Sequence, residues 1–238
     1  MKTKNEITFF TYADEKYYPF VLPYVFSILK NTNADVVVVL ENENDFFNTY
    51  GKKWANISYN IKLDLNQQWS LYAFDKNGVI PNTVRFLTSP KRLVNKYTYI
   101  TDVDIIVTKT EYEKAIKNNI DNLKSCFFNI LRDSGPKLSG MHFVETKKWY
   151  PKLAQYLKNF EDISKINQFG DEGFLYKMVQ ETIGDPEKLT EGNKRIMPGY
   201  HLSPNRNKKY TEIKAELCKD PAWEYAFTQF SPEFLKMF

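Results

Sequence analysis

The chain has 238 residues, of which 42% are hydrophobic and 26% charged, a composition typical of a globular domain with a sizeable core. Its 33 basic and 29 acidic residues give a net charge of +4, too small an excess to indicate a nucleic-acid-binding protein. Two cysteines, Cys126 and Cys218, make neither a disulfide framework nor a zinc-binding pattern. The N-terminal residues lack the apolar run of a signal peptide, and no stretch approaches the roughly 18 apolar residues that span a membrane. We therefore expect one cytoplasmic domain over residues 1–238.

The N-terminal part of the chain predicts a β-α-β unit. Residues 7–13, "ITFFTYA", are rich in β-branched and aromatic side chains, which favours a strand. Apolar residues at helical spacing follow in "YYPFVLPYVFSILK", and the valine run over 35–40 is typical of a parallel strand covered on both faces. This order of elements predicts an α/β fold.

Further elements are predicted along the rest of the chain. We expect strands over 57–65 and 99–107 and within "SCFFNIL" and "KLSGMHFVE", and a partly helical segment over 82–94. Helices are predicted within "KKWYPKLAQYLKNF", "DEGFLYKMVQETI" and "PAWEYAFTQF". No internal repeat or Pro/Gly-rich linker divides the chain. We treat residues 1–108 and 109–238 as two halves of a single domain.

Asp102 and Asp104 interrupt the hydrophobic run "YITDVDIIV". If the backbone stays extended through Val103, both carboxylates point to one side, where they repel each other unless a cation is present. An exposed turn would explain the acids, but the apolar flanks indicate a buried element. At the carboxyl end of a strand in an α/β sheet, that side is the ligand crevice. The pattern predicts a site for a hard divalent ion such as Mn²⁺ or Mg²⁺.

The ordered landmarks of the chain resemble the GT-A-fold glycosyltransferases, nearest in pattern to the retaining, metal-dependent families 8 and 6. The resemblance rests on "TYADEKYYPFVLPYVFSIL", "VRFL" before "YTYITDVDIIV", "LSGMHFVETKKWY", "GDEGFLYKMV" and "MPGYHLSPNRNKK". It implies a Rossmann-like domain with a central mixed sheet flanked by helices. It also implies transfer of a sugar, with retention, from a nucleotide-diphosphate donor to a hydroxyl of a glycan or lipid-linked acceptor. UDP is the expected nucleotide because it is the commonest in such families.

The resemblance also implies roles for individual residues. The predicted metal ligands are Asp102, Asp104 and His201. The predicted nucleotide-sugar contacts are Tyr12, Ala13, Asp14, Arg85, Asp102 and Val103. The predicted acceptor or sugar contacts are Ser139, Gly140 and His142. Asp171 and Glu172 form the predicted catalytic pair, one accepting from a sugar hydroxyl and the other facing the anomeric carbon.

Several of these residues have a plain structural interpretation that the sequence leaves open. Asp171 and Glu172 are also favourable at a helix start because of the helix dipole. Asp14 is a candidate N-cap, His142 a candidate half-buried core histidine, and Arg85 a candidate surface helix residue.

Two other functions remain open from the sequence. One is a nucleotide- or carbohydrate-binding module of the same fold without turnover. The other is a phosphatase of the haloacid-dehalogenase type, although there the D-x-D motif usually closes the first strand.

The C-terminal "FTQFSPEFLKMF" carries many aromatic side chains among few charges. The sequence predicts that this segment packs on the core; the alternative is a peripheral contact with the inner face of the membrane.

Overall fold

A computed structural model describes residues 6–61, 69–73, 80–91, 95–158, 164–202 and 210–238. The strands within them are β1 (Ile7–Ala13), β2 (Asp35–Leu40), β3 (Trp69–Ala73), β4 (Tyr97–Ile100), β5 (Ile105–Val107), β6 (Phe127–Phe128), β7 (His142–Glu145) and β8 (Gly199–His201). The helices are α1 (Tyr18–Asn31), α2 (Glu43–Asn60), α3 (Val84–Leu87), α4 (Lys109–Asp121), α5 (Thr146–Lys158), α6 (Ser164–Thr182), α7 (Pro186–Thr190), α8 (Tyr210–Leu217), α9 (Pro221–Gln229) and α10 (Pro232–Leu235). Short 3-10 turns precede α1 and α3.

Six strands form the central sheet in the order β3-β2-β1-β4-β7-β6. The pairs β3–β2, β2–β1 and β1–β4 are parallel, whereas β7 is antiparallel to β4 and β6 is antiparallel to β7. Two clusters of buried apolar side chains lie against this sheet. The predicted mixed α/β architecture and the β1-α1-β2 unit are confirmed.

The predicted strand over 57–65 is wrong where the structure describes it, because residues 57–60 belong to α2. Asn42 starts this helix by accepting hydrogen bonds from the amides of Asn44 and Asp45. Its buried residues recur every three or four positions, the spacing of a helix face packed on a core; they are Phe46, Tyr50, Trp54 and Ile57. Residues 62–65 of the predicted strand lie outside the described part of the chain.

The predicted single strand over 99–107 is two strands that belong to different sheets. β4 ends at Ile100 in the central sheet, and β5 begins at Ile105 and pairs with β8. The break falls on the two aspartates, because ionised carboxylates are costly inside a buried ladder. The described residues of the predicted segment over 82–94 include the end of a 3-10 turn and the short helix α3.

The aromatic side chains of the C-terminal segment pack on the core. Phe227, Phe230 and Phe234 are at most 5% exposed. Phe234 contacts Phe20 of α1 edge-on, with ring centroids 5.9 Å apart, and Phe230 contacts Phe26 in the same way at 6.2 Å. These rings are therefore not presented to a membrane surface. Among the described helices, none combines the length and the apolar character needed to cross a bilayer.

Candidate active site at the ends of the parallel strands

A cleft of about 250 Å³ opens where β1 and β4 end. Nine of the predicted site residues line it: Tyr12, Arg85, Asp102, Val103, Asp104, Gly140, Asp171, Glu172 and His201. Its walls are therefore strongly charged, with four carboxylates, two arginines and a histidine. This is the crevice position at which open α/β sheets bind ligands.

Asp102, Asp104 and His201 come together at this cleft. Antiparallel pairing of β5 with β8 sets Ile105 opposite His201, which brings the imidazole beside the two carboxylates. Nε2 of His201 lies 3.3 Å from Oδ2 of Asp102 and 3.6 Å from Oδ1 of Asp104. One candidate ligand atom from each residue lies within 4.8 Å of the others. Two carboxylate oxygens and one imidazole nitrogen suit a divalent cation, and Mn²⁺ more than Mg²⁺ because of the nitrogen.

The two aspartates differ in electrostatic environment. Burial by itself would raise the pKa of Asp102, but the Arg85 guanidinium and then His201 outweigh it and hold that pKa well below its usual range. For Asp104, burial raises the pKa, and the charge of Asp102 adds to the increase although His201 opposes it. Without a cation, Asp104 is therefore the less favourably ionised carboxylate of the pair.

Arg85 lies beneath this cluster and is only 7% exposed. Its Nη1 donates to Oδ1 of Asp102 and, at 3.1 Å, to the carbonyl oxygen of Thr101. Its Nη2 lies 4.0 Å from Oδ2 of Asp171. Burial lowers the pKa of Arg85, but the carboxylate of Asp102 outweighs it, so the side chain stays charged. Arg85 is a buried residue bound to the D-x-D segment, not a surface helix residue.

Asp171 and Glu172 enter the cleft at a break in α6. Gly170 has φ 64° and ψ 170°, a conformation favourable only for glycine, and the helix restarts after it. Oδ1 of Asp171 accepts a hydrogen bond from the amide of Glu172 at 2.9 Å. The Glu172 carboxylate is held by Arg132, with Nε of Arg132 2.9 Å from Oε1 of Glu172.

Four predicted site residues do not line the cleft, namely Ala13, Asp14, Ser139 and His142. Ala13 is buried in β1, and Asp14 caps the following turn by accepting from the amide of Tyr17. Ser139 is buried, and its hydroxyl accepts from the amide of Met141. Their predicted ligand roles stay predictions.

His142 is 2% exposed and packs among aromatic rings. Its ring centroid is 5.5 Å from those of Phe86 and Phe127 and 6.0 Å from that of Trp149. Burial, with a smaller effect from Arg85, lowers the pKa of His142 to about 3, so the imidazole is neutral at physiological pH. The geometry places His142 as a core histidine behind the wall of the cleft.

Sequence reasoning missed three residues that line the cleft, namely Tyr17, Asn82 and Arg132. Tyr17 lines the same cleft as Asp102 and Asp104, and burial, followed by the charge of Asp104, raises the pKa of its phenol. Its position shortly after the first strand was a usable signal. Asn82 and Arg132 carried no local signal, because each reaches the cleft only through the packing of distant segments.

Replacing Gly199 by alanine will disrupt the β5–β8 pair and displace His201. An added Cβ at Gly199 would lie 2.0 Å from the backbone oxygen of Ile106, and a backbone atom cannot move aside as a side chain can. We expect loss of Mn²⁺ affinity, measured by calorimetric titration. Gly51→Ala within α2 is the matched control, since its Cβ makes only ordinary contacts and alanine favours helix by about 0.5–1 kcal/mol. Unchanged Mn²⁺ affinity in Gly199→Ala would contradict the role of β8.

No family model matches the chain, and no curated protein matches it. Among solved structures, the glycosyltransferase GlyE of Streptococcus pneumoniae TIGR4 superposes with a TM-score of 0.51 at 11% identity. The match covers 93% of this chain but 52% of the GlyE chain, so the protein spans about half the length of GlyE.

Two further matches have lower scores. The galactosyltransferase LgtC, crystallised with donor and acceptor sugar analogues, has a TM-score of 0.48 at 12% identity over 97% of this chain and all of its own. A 4-diphosphocytidyl-2C-methyl-D-erythritol synthase of Anaerococcus prevotii DSM 20548 has a TM-score of 0.39 at 11% identity, over 70% of this chain and 84% of its own. The chain has the fold of the GT-A-type glycosyltransferases. At this low sequence identity, the structural match establishes the fold only. The reaction has to be inferred from the residues of the site.

Proposed function

We propose that the protein is a metal-assisted glycosyltransferase that moves a sugar from a nucleoside-diphosphate donor to a hydroxyl of a saccharide or lipid-linked acceptor. The observation that carries the proposal is the cluster of Asp102, Asp104 and His201 in the crevice of a GT-A fold. The three side chains offer a set of ligand atoms suited to one divalent cation. A cation bound there would supply Lewis-acid stabilisation of the negative charge on the departing diphosphate.

We assign the residues that line the cleft around the cluster to two ends. Tyr12 and Tyr17 come from the end of β1 and the turn after it, and we assign them to the nucleoside end because an aromatic ring stacks on a base. We assign Gly140, Asp171 and Glu172 to the other end, which would hold the sugar. We propose UDP as the nucleotide because it is the commonest in the families that the sequence resembles. A cytoplasmic location and a lipid-linked acceptor stay predictions from the sequence.

Retention of configuration is the stereochemistry that we propose. An inverting enzyme needs a general base with room to deprotonate the acceptor hydroxyl. Each carboxylate lining the cleft already faces a positive or imidazole group. Asp102 bonds Arg85, Glu172 bonds Arg132, Asp104 lies beside His201, and Asp171 lies 4.0 Å from Arg85. Because each of these carboxylates already has a partner, none is free to act as that base, which supports retention.

The phosphatase alternative is weaker on the same geometry. A nucleophilic aspartate needs an accessible carboxylate oxygen, and both oxygens of Asp102 face partners, Arg85 and His201. The motif also follows β4 instead of closing the first strand. Release of phosphate from simple monoesters, independent of any sugar nucleotide, would restore this alternative.

A thermal-shift screen of nucleoside diphosphates with and without Mn²⁺ tests the proposal. A ligand that binds only the native state stabilises it by about 2.7 kcal/mol at a free concentration one hundred times Kd. We expect UDP with Mn²⁺ to raise Tm, and either component alone to raise it less. Incubation of the same protein with UDP-sugars then separates an enzyme from a binding module, because only the enzyme releases UDP. No shift with any nucleoside diphosphate would contradict the proposed function.

A further inference from the structure

Arg132 lies on a hairpin that forms the sugar end of the cleft. This hairpin, residues 129–139, is closed by a bond from the amide of Arg132 to the carbonyl oxygen of Lys137 at 2.9 Å. A second bond, from Nδ2 of Asn129 to the carbonyl oxygen of Ser139, closes its base at 2.9 Å. These bonds hold the backbone around Arg132 without involving its side chain.

Glu172 connects this hairpin to the restarted helix α6. Its carbonyl oxygen accepts from the amide of Leu138 at 3.1 Å, and Oε1 accepts from the amide of Gly140 at 3.3 Å. The same Oε1 accepts from both Nε and Nη2 of Arg132. With side chains 30% and 25% exposed, the Arg132–Glu172 pair is shielded more than an ordinary surface ion pair. One residue of α6 thus fixes three points of the opposite wall.

The position of Gly140 matters because its backbone contacts Arg85, the residue that holds Asp102 of the D-x-D motif. A Cβ at Gly140 would lie 2.5 Å from Nη2 of Arg85 and 4.0 Å from Oδ2 of Asp171. The backbone of Gly140 therefore lies directly against the guanidinium that holds Asp102. A shift of Gly140 towards the cleft would therefore press on the Arg85 guanidinium, the partner of Asp102 and the neighbour of Asp171.

We propose that Arg132 is a positioning residue that neutralises Glu172 and holds it on the Gly140 amide, so that Asp171 is the carboxylate presented to the donor sugar. The expected effect on turnover rests on the proposed function. The ion pair between Arg132 and Glu172, which we call the clamp, does not. In Arg132→Ala, an unpaired carboxylate would remain beside Asp171, and the wall would move. Since misplacement by about 1 Å can cost about 100-fold in rate, we expect a loss of turnover of that order.

Four proteins test the clamp: the wild type, Arg132→Ala, Glu172→Gln and the double variant. Glutamine keeps an oxygen acceptor for the Gly140 amide without the charge that Arg132 neutralises. We therefore expect the double variant to turn over at least about tenfold faster than Arg132→Ala, because substitutions of coupled residues give non-additive effects. The loss should fall on kcat, with the donor KM little changed, because the nucleoside is bound at the other end.

The same four proteins are unfolded in urea without ligand, with Lys114→Ala as the control for an exposed ion pair. Arg132→Ala should lower the midpoint, the double variant should recover part of the loss, and the control should stay at the wild-type value. Independent, multiplying effects on turnover would show that Arg132 contacts a ligand directly and would overturn the proposal. A greater loss in Glu172→Gln than in Arg132→Ala would make Glu172 itself catalytic, with the same consequence. If the wild type binds no nucleotide, the proposed function fails, while the urea series still decides whether the clamp exists.

Discussion

The Asp104→Ala variant is expected to lose Mn²⁺ binding and sugar transfer while remaining folded, and its metal-free form should be more stable than the wild type at neutral pH. Removing a residue that hydrogen-bonds to a metal ligand typically lowers metal affinity or activity by about 10- to 100-fold. Removing the ligand itself should lower them by more. The gain in stability has a separate cause. Burial and the neighbouring Asp102 raise the pKa of Asp104, so ionising it opposes folding.

The sign of the pH dependence follows from that raised pKa. The contribution of Asp104 to stability is fully present below its unfolded pKa and is lost as pH rises through the folded value. The stability advantage of Asp104→Ala should therefore shrink on acidification. Urea unfolding in the presence of a chelator at several pH values measures it. Asp121→Ala, at an exposed acid on α4, is the matched control. Wild-type Mn²⁺ affinity in Asp104→Ala would show that the metal assignment is wrong.

Arg85→Ala should produce the largest loss of stability of the substitutions considered. Removing one partner of a buried ion pair typically costs about 3–5 kcal/mol, because the remaining charge is left in a poorly solvated position. Here Asp102 would lose its strongest partner, while Thr101 would lose a donor to its buried carbonyl oxygen. Arg85→Lys should be intermediate in stability and should weaken the donor complex, since one ammonium group cannot reproduce the planar fork of the guanidinium.

Acid should reduce the effect of Arg85→Ala. The wild-type pKa of Asp102 is held below its usual range, so this carboxylate stabilises the fold above its unfolded pKa and ceases to do so as pH falls. The difference between the variant and the wild type should be largest at neutral pH and should diminish below about pH 4. Lys117→Ala, at an exposed cation, controls for loss of charge alone. Equal urea midpoints for Arg85→Ala and the wild type would show that Asp102 does not depend on Arg85, and undiminished donor affinity in Arg85→Lys would remove its role on the donor side.

Features that depend on composition and local spacing were predictable from the amino-acid sequence alone. β-Branched and aromatic content indicated β1, the valine run indicated β2, and the apolar helix between them followed from its period. The carboxylates of Asp102 and Asp104 marked the candidate site. His201 was proposed as their partner only through the resemblance to a family. The error over 57–60 arose because a short apolar run suits a strand or a helix, and packing on the core decided for the helix.

Contacts between side chains that are far apart in the chain became visible only in the folded protein. His201 lies 99 positions after Asp102 and reaches it because β8 pairs with β5, a pairing that no local pattern encodes. Arg132 and Glu172, 40 positions apart, form an ion pair because a hairpin packs against a broken helix. His142 and Gly140 are two residues apart, yet only Gly140 lines the cleft. Sequence periodicity reports which face of an element is apolar, whereas contacts between elements depend on the free energy of packing the whole chain.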